Sequence, residues 1–183
     1  MDELAEFKTR YENRTFKVEQ PILDIGGGDG TFLRSQGISK ATIIEGGIYN
    51  GENYKYIHAD ITKKFPKLDK KFKTIFMMEV LEHINNPLYL LAQAYDLLED
   101  DGVLYMAIPY TEIGEHHHHV GRWKINEIQD QLKKLGFGSK VIQKRRRFKG
   151  LGFFLPHCWL VLRAKKRKFN SNERNIKNYN LKI

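Results

Sequence analysis

The amino-acid sequence predicts an α/β protein built on a mostly parallel sheet. Two observations support this prediction. Short apolar segments with the length of strands alternate with turn or helix signals, and a run of three glycines directly follows the first of these segments. Strands that alternate with helices pair in parallel, and the helices cover both faces of the sheet. The 183 residues suffice for one such domain.

Four strands are predicted in the first half of the chain, where they form the parallel part of the sheet. They are residues 21–25, 40–45, 54–60 and 74–78. A short helix begins at Thr31, directly after glycine-rich residues 26–30, so the first strand, the turn and the helix form one βα unit.

Two helices and three further strands are predicted in the second half. Leucine, alanine and tyrosine residues recur at helical spacing between Pro87 and Glu99, and Asp100-Asp101-Gly102 is predicted to end this helix. The other elements are a strand over 103–108, a helix over 125–135 and strands over 140–147 and 158–164. No helix separates the last two strands, so we expect them to pair antiparallel. The full prediction is a three-layer sandwich with a seven-stranded sheet and a C-terminal antiparallel hairpin.

The sequence divides into three segments. Residues 1–20 are predicted to be an N-terminal helix and lead-in, residues 21–165 the folded domain, and residues 166–183 a basic, disordered tail. No apolar run reaches the roughly 20 residues that cross a bilayer, which argues against membrane insertion. The first residues lack the pattern of a secretory signal, and the single cysteine cannot form an intramolecular disulfide. We therefore expect a cytoplasmic protein.

The glycine-rich turn gives the first indication of function. Its glycines Gly26, Gly28 and Gly30 follow Asp24, and a dinucleotide fingerprint would need a further glycine where Thr31 stands. The pattern resembles motif I of class I S-adenosylmethionine-dependent methyltransferases. The resemblance implies a Rossmann-like fold in which the glycines let the backbone approach the methionine end and ribose of the cofactor. It also implies that Asp24 faces the cofactor's ammonium group.

Two more carboxylates stand where the same resemblance places cofactor ligands. Glu45 ends the second strand and would accept hydrogen bonds from the ribose hydroxyls, while Asp60 ends the third strand and would bind the adenine amino group. The carboxyl ends of parallel strands meet at one edge of a sheet, where ligands bind. The resemblance covers about residues 20–164, and the motif of enzymes that methylate nucleobase amino groups is absent after the fourth strand.

Residues after the fourth strand are candidates for the chemistry. Glu79, Glu82 and His83 have the spacing of one face of a helical turn, so they are predicted as a catalytic acid and base. With His119 they could instead bind a divalent metal such as Mg²⁺ or Mn²⁺. The segment resembles that of ubiquinone-biosynthesis O-methyltransferases and of small-RNA 3′-terminal 2′-O-methyltransferases. Alternatively, the carboxylates stabilise a helix N-terminus and His83 is a half-buried cap, with no metal.

Three functions remain open. The first is a methyltransferase that acts on an oxygen or nitrogen of a small molecule. The second is a metal-assisted RNA 2′-O-methyltransferase, whose partner RNA would meet the basic C-terminal third, including Lys144–Arg147. Clustered cations bind nucleic-acid phosphates, although they also form ordinary solvated surfaces. The third is a cofactor-binding module without catalysis. The sequence does not identify the methyl acceptor.

Overall fold

The computed structural model describes residue 11 and residues 16–49, 53–109, 125–147 and 157–166. For residues 144–147 and 157–159 it describes the backbone. Three sequence predictions therefore lie outside the described residues: most of the N-terminal helix, His119 with the histidine run around it, and the tail after Lys166.

The described residues form a seven-stranded sheet. Its strands are β1 Ile22–Ile25, β2 Ala41–Glu45, β3 Tyr54–His58, β4 Phe72–Met78, β5 Leu98–Pro109, β6 Phe137–Arg147 and β7 His157–Lys166. They lie in the order β3-β2-β1-β4-β5-β7-β6. Strands β1 to β5 pair in parallel, whereas β7 pairs antiparallel with both β5 and β6. The predicted fold class, including the antiparallel hairpin, is confirmed.

Three α-helices and one 3₁₀ turn accompany the strands in the described residues. They are α1 Thr31–Ser35, the turn Leu81–His83, α2 Pro87–Leu97 and α3 Ile125–Lys134. The side chain of Asn86 accepts a hydrogen bond from the backbone N–H of Tyr89, and Pro87 occupies the first helical position. Both features are favourable at the start of α2. No helix in the described part of the chain is long and apolar enough to cross a membrane.

The predicted end of the second helix is wrong by two residues. This helix ends at Leu97, and the residues predicted to form a turn before the next strand lie inside β5. Leu98 pairs with Phe72 and Val103 pairs with Thr74, so the intervening residues of β5 form an irregularity in the ladder. The ammonium group of Lys73 lies 3.3 Å from the carboxylate of Glu99 and also bonds Asp101. These contacts hold the acidic turn sequence against the sheet.

The hairpin is longer than predicted at both ends. Strand β6 begins at Phe137 because this fully buried side chain packs edge-on against Tyr95, with ring centroids 5.0 Å apart. Phe137 pairs with Lys166, which the sequence prediction had assigned to the tail. The ammonium group of Lys166 also donates a hydrogen bond to the backbone carbonyl of Leu98 at 3.0 Å. The ordered domain therefore includes Lys166.

Both faces of the sheet are covered, as predicted for three layers. Side chains alternate along β4, so Ile75 and Met77 join one buried cluster while Phe76 and Met78 join the other. The first cluster includes the apolar residues of α2 and α3. The second includes those of α1 and two aromatic residues of the N-terminal segment, Tyr11 and Phe16. Tyr11 and Phe16 therefore lie on the same face of the sheet as α1.

The strand order creates a switch point between β1 and β4. From β1 the chain proceeds to β2 and β3 on one side, and β4 and β5 then extend the sheet on the other side. Ligands of open α/β sheets bind in the crevice at such a point, beyond the carboxyl ends of the strands.

Candidate functional site

The glycine-rich turn follows β1 directly at the switch point. Gly26, Gly28 and Gly30 have φ angles of 70°, 53° and 81°. These values lie in the left-handed region, which side chains strongly disfavour. The predicted spacing of three glycines thus coincides with the three positions of the turn that have this backbone conformation.

A cleft of about 290 Å³ opens beside this turn. Its lining includes Asp24, the glycine turn, Phe32, Tyr49 and Met78. A Cβ atom on Gly28 would meet no atom within 4 Å, so the backbone at this position borders open space. A ligand can therefore approach the turn closely.

Asp24 is the most unusual charged residue at this cleft. Its side chain is only 1% exposed, and neither carboxylate oxygen has a hydrogen-bond partner among the described residues. Burial, and secondarily the negative charge of Glu45, raises the pKa of Asp24 well above its ordinary value. A Cβ atom on Gly27 would lie 2.6 Å from Oδ2 of Asp24, so that glycine leaves room for the carboxylate. Such a group can bind a cation with little rearrangement.

Glu45 is held by backbone N–H groups from two segments. Its Oε2 accepts a hydrogen bond from Gly28 at 3.0 Å, and its Oε1 accepts hydrogen bonds from Gly46 at 2.7 Å and Gly47 at 3.2 Å. A carboxylate has about four acceptor sites, so capacity for a further donor remains. The two glycines after Glu45 thus help to fix its side chain.

Asp60 lies in the turn after β3 and does not line the cleft. Its Oδ1 accepts hydrogen bonds from the backbone N–H of Thr62 at 3.0 Å and from the Thr62 hydroxyl at 2.5 Å, and Lys63 Nζ lies 2.9 Å from Oδ2. These contacts, those of Thr62 first, lower the pKa of Asp60 to about 2. The neighbouring Ala59 donates a backbone hydrogen bond to Glu45, so Asp60 is at the same edge of the sheet.

Sequence reasoning missed several residues that line the cleft, among them Asp29 and Tyr49. Asp29 accepts hydrogen bonds from the backbone N–H and hydroxyl of Thr31 at 2.8 and 2.6 Å and forms an ion pair with Arg34 at 2.7 Å. Burial opposes ionisation of Asp29, but these contacts outweigh it and lower the pKa. Tyr49 stacks on Tyr56 with centroids 6.3 Å apart. An aspartate that accepts a hydrogen bond from the backbone two residues ahead is a recognisable Asx-turn signal, whereas nothing local indicates the position of Tyr49.

Comparison with known families identifies the family to which this chain belongs. The family model described as a methyltransferase domain matches residues 2–153. The chain belongs to the methyltransferase domain family. It is a class I S-adenosylmethionine-dependent methyltransferase, as the resemblance of the glycine turn implied. No curated protein sequence matches the chain significantly.

Solved structures similar to this methyltransferase have the same fold. The YcgJ protein of Bacillus subtilis is 12% identical with a TM-score of 0.70, and 90% of this chain aligns with 99% of that one. A possible histamine N-methyltransferase of Thermotoga maritima is 18% identical with a TM-score of 0.66, over 90% and 88% of the two chains. A 1,6-didemethyltoxoflavin-N1-methyltransferase of Burkholderia thailandensis, solved with S-adenosylhomocysteine, is 16% identical with a TM-score of 0.59, over 89% and 76%.

The carboxylates after β4 in this methyltransferase do not share one helical face, so that prediction is wrong. Glu79 precedes the 3₁₀ turn and has a φ angle of 61°, which takes it out of the turn's geometry. Glu82 is buried with 1% exposure, whereas His83 is exposed. The prediction that His83 is a half-buried cap is therefore also wrong.

The two glutamates differ in their surroundings. Oε1 of Glu79 accepts a hydrogen bond from the hydroxyl of Tyr11 at 2.8 Å. Oε2 of Glu82 is buried and has no hydrogen-bond partner among the described residues. Burial first, and the charge of Glu79 second, raises the pKa of Glu82 to about 7. Glu82 can therefore exchange a proton near neutral pH.

The predicted metal site is incomplete in the described residues. Among them, no group of three or more histidine, cysteine, aspartate or glutamate side chains could hold a metal ion. Glu79, Glu82 and His83 therefore do not form such a group by themselves. The fourth predicted ligand, His119, lies outside the described residues.

Proposed function

We propose that this methyltransferase holds the ammonium group of S-adenosylmethionine at Asp24, the ribose at Glu45 and the adenine at Asp60. The observation that carries the proposal is the buried Asp24 carboxylate at the cleft, which has no hydrogen-bond partner among the described residues. A buried carboxylate is costly unless it is paired, and an ammonium group would satisfy it. The open space beside Gly28 supports close approach of the cofactor to the turn.

We further propose that Glu82 acts as the general base, with Glu79 and His83 beside it. The cofactor supplies a methyl group that is already activated, so the protein must align an acceptor atom and remove a proton from it. The pKa of Glu82, raised to about 7 by burial and by the Glu79 charge, supports this role. A base with a pKa near the working pH is the most effective.

A small molecule with an oxygen or nitrogen acceptor is the substrate class that we propose. Two similar structures support it by their names: one is a possible histamine N-methyltransferase, and the other was solved with bound 1,6-didemethyltoxoflavin. A cytoplasmic location, predicted from the sequence, belongs to the same proposal.

Two alternatives stay open. Metal-assisted methylation of RNA would need a site that includes His119, together with phosphate contacts from the basic C-terminal third. A cofactor-binding role without catalysis would use Asp24, Glu45 and Asp60 alone. We favour the small-molecule enzyme because the named relatives support it.

Replacing Glu45 by Gln should weaken binding of S-adenosylmethionine by about 30-fold. The substitution removes the negative charge and one acceptor oxygen, so hydrogen bonds from the ribose hydroxyls lose charge assistance. Isothermal titration calorimetry measures the change in Kd. The matched control is Glu19→Gln, which alters an exposed glutamate whose backbone bonds Thr74 near the opposite end of the sheet. Equal affinity in the Glu45→Gln variant and the wild type would contradict the proposed ribose contact.

The acceptor class can be tested with the labelled methyl donor. We expect the protein, incubated with size-separated cell extract, to transfer label to the small-molecule fraction and not to purified RNA. Transfer should be lost in the Asp24→Asn variant, which controls for contaminating enzymes. Label found in RNA alone, and lost when a chelator is added, would instead support the metal-assisted RNA reaction.

A further inference from the structure

Tyr11 links the N-terminal segment to the end of β4. Its side chain is 1% exposed, and its hydroxyl donates a hydrogen bond to Oε1 of Glu79 at 2.8 Å, across 68 residues of sequence. Its ring packs edge-on against Phe32, with centroids 5.5 Å apart, and Phe32 lines the cleft. Tyr11 therefore contacts both a wall of the cleft and a carboxylate beside it.

Glu79 lies next to the glycine turn. The residue before it, Met78, lines the cleft, and the residue after it, Val80, approaches Gly26 so closely that a Cβ atom there would lie 2.7 Å from Cγ2 of Val80. The φ angle of 61° is rare for a residue with a side chain, and such strain is typical of functional sites. The backbone N–H of Glu79 donates a hydrogen bond to Ala107 at 2.9 Å, so β5 fixes this conformation.

We propose that Tyr11 is a positioning residue whose hydroxyl holds the Glu79 carboxylate at the sulfonium end of the cleft, where it stabilises the positive charge of S-adenosylmethionine. This inference rests on the proposed binding of that cofactor at the cleft. The hydroxyl fixes the orientation of the carboxylate without adding a charge of its own. A charge fixed near the sulfur favours a cationic ligand over a neutral one.

S-adenosylhomocysteine provides the matched ligand for a test. It has the same ammonium, ribose and adenine groups, but its sulfur is neutral. Calorimetry should show that Glu79→Gln lowers the preference for S-adenosylmethionine over S-adenosylhomocysteine by about 10-fold, and that Tyr11→Phe lowers it by about 3-fold. Affinity for S-adenosylhomocysteine should change less than about twofold in both variants. The double variant should show no loss beyond that of Glu79→Gln, because Tyr11 acts through Glu79.

Tyr105→Phe is the matched control. Tyr105 belongs to the same aromatic cluster as Tyr11. Its hydroxyl accepts a hydrogen bond from the backbone N–H of Lys17 at 3.1 Å, so it holds the same segment through a different partner. This variant should keep the wild-type preference.

The outcomes separate three cases. Equal weakening of both ligands in Tyr11→Phe, or a result that matches Tyr105→Phe, would show a purely structural role and overturn the inference. An unchanged preference in Glu79→Gln would also overturn it, even if Tyr11→Phe failed to fold. If the wild type binds neither ligand, the proposed function fails and the inference fails with it.

Discussion

An Asp24→Asn variant is expected to lose cofactor affinity by more than about 100-fold while the cofactor-free protein becomes more stable. The loss follows because the ammonium group would meet a neutral amide in a buried position. The gain in stability follows because the wild-type carboxylate is buried without a hydrogen-bond partner among the described residues. We expect this stabilisation at pH 8, measured as a higher free energy of unfolding in urea.

The stability advantage of the Asp24→Asn variant should depend on pH. Burial first, and the Glu45 charge second, raises the folded-state pKa of Asp24 above its ordinary 3.8, so the folded protein binds this proton more tightly than the unfolded chain does. The contribution of Asp24 to stability is then complete below about pH 4 and is lost as the pH rises towards the folded-state pKa. The stability advantage of Asp24→Asn should therefore grow with pH over that range.

Cofactor binding should release the same proton. An ammonium group pairs with the ionised form of Asp24, so calorimetry in buffers of different ionisation enthalpy should show proton release by the wild type and none by the variant. Asp69→Asn, at an exposed aspartate before β4, is the control and should leave stability and affinity unchanged. A variant that is less stable than the wild type at every pH would contradict the argument.

Replacing Gly30 by Ala should mainly reduce stability, whereas replacing Gly28 by Ala should mainly reduce cofactor affinity. Both positions have positive φ angles, 53° and 81°, so each substitution costs about 1 to 2 kcal/mol of backbone strain. At Gly30 a Cβ atom would also lie 2.6 Å from the ring of Tyr54, whose hydroxyl is fixed by a 2.7 Å hydrogen bond to Ile38. We expect a total loss of about 3 kcal/mol at Gly30 and about 1 kcal/mol at Gly28.

The cofactor affinity should fall more in Gly28→Ala than in Gly30→Ala, although Gly28→Ala is the more stable variant. At Gly28 the new methyl group would enter open space beside the cleft and meet the cofactor, so the affinity of the folded protein should fall by about 10-fold or more. Gly30→Ala protein that remains folded should bind better than Gly28→Ala protein. Urea unfolding and calorimetry on the same samples test this ranking. The opposite order of affinities would place the cofactor away from Gly28.

The sequence predicted the sheet well because its information is local. Apolar segments such as Ala41–Glu45 indicate strands, and residues such as Gly30 indicate turns, without information from distant parts of the chain. The repetition of strand and helix signals then implies the layered sheet. The prediction was wrong where distant residues decide the outcome. The residues Asp100-Asp101-Gly102 carry a turn signal, yet the pairings of Leu98 with Phe72 and of Val103 with Thr74 place them in an irregularity within β5.

In the candidate site, too, the sequence predicted features that depend on local residues and failed for those that depend on distant ones. The glycine spacing coincides with the three positive φ angles, because no other residue type adopts them as readily. The hydrogen bond between Tyr11 and Glu79 spans 68 residues and has no local signature. Helical spacing suggested that Glu79 and Glu82 share a face, but the left-handed conformation of Glu79 prevents it. Backbone strain of this kind depends on the surrounding fold, so periodicity cannot predict it.

The strand order of the sheet also separates most of the proposed cofactor contacts from the candidates for acceptor chemistry. The proposed contacts with the ammonium, ribose and adenine groups lie on β1, on β2 and after β3, whereas the candidate general base Glu82 follows β4. Substitutions after β4 that leave Glu79 unchanged can therefore alter which molecule is methylated while these three contacts stay intact. A library of such substitutions would be the natural starting point for redirecting this enzyme.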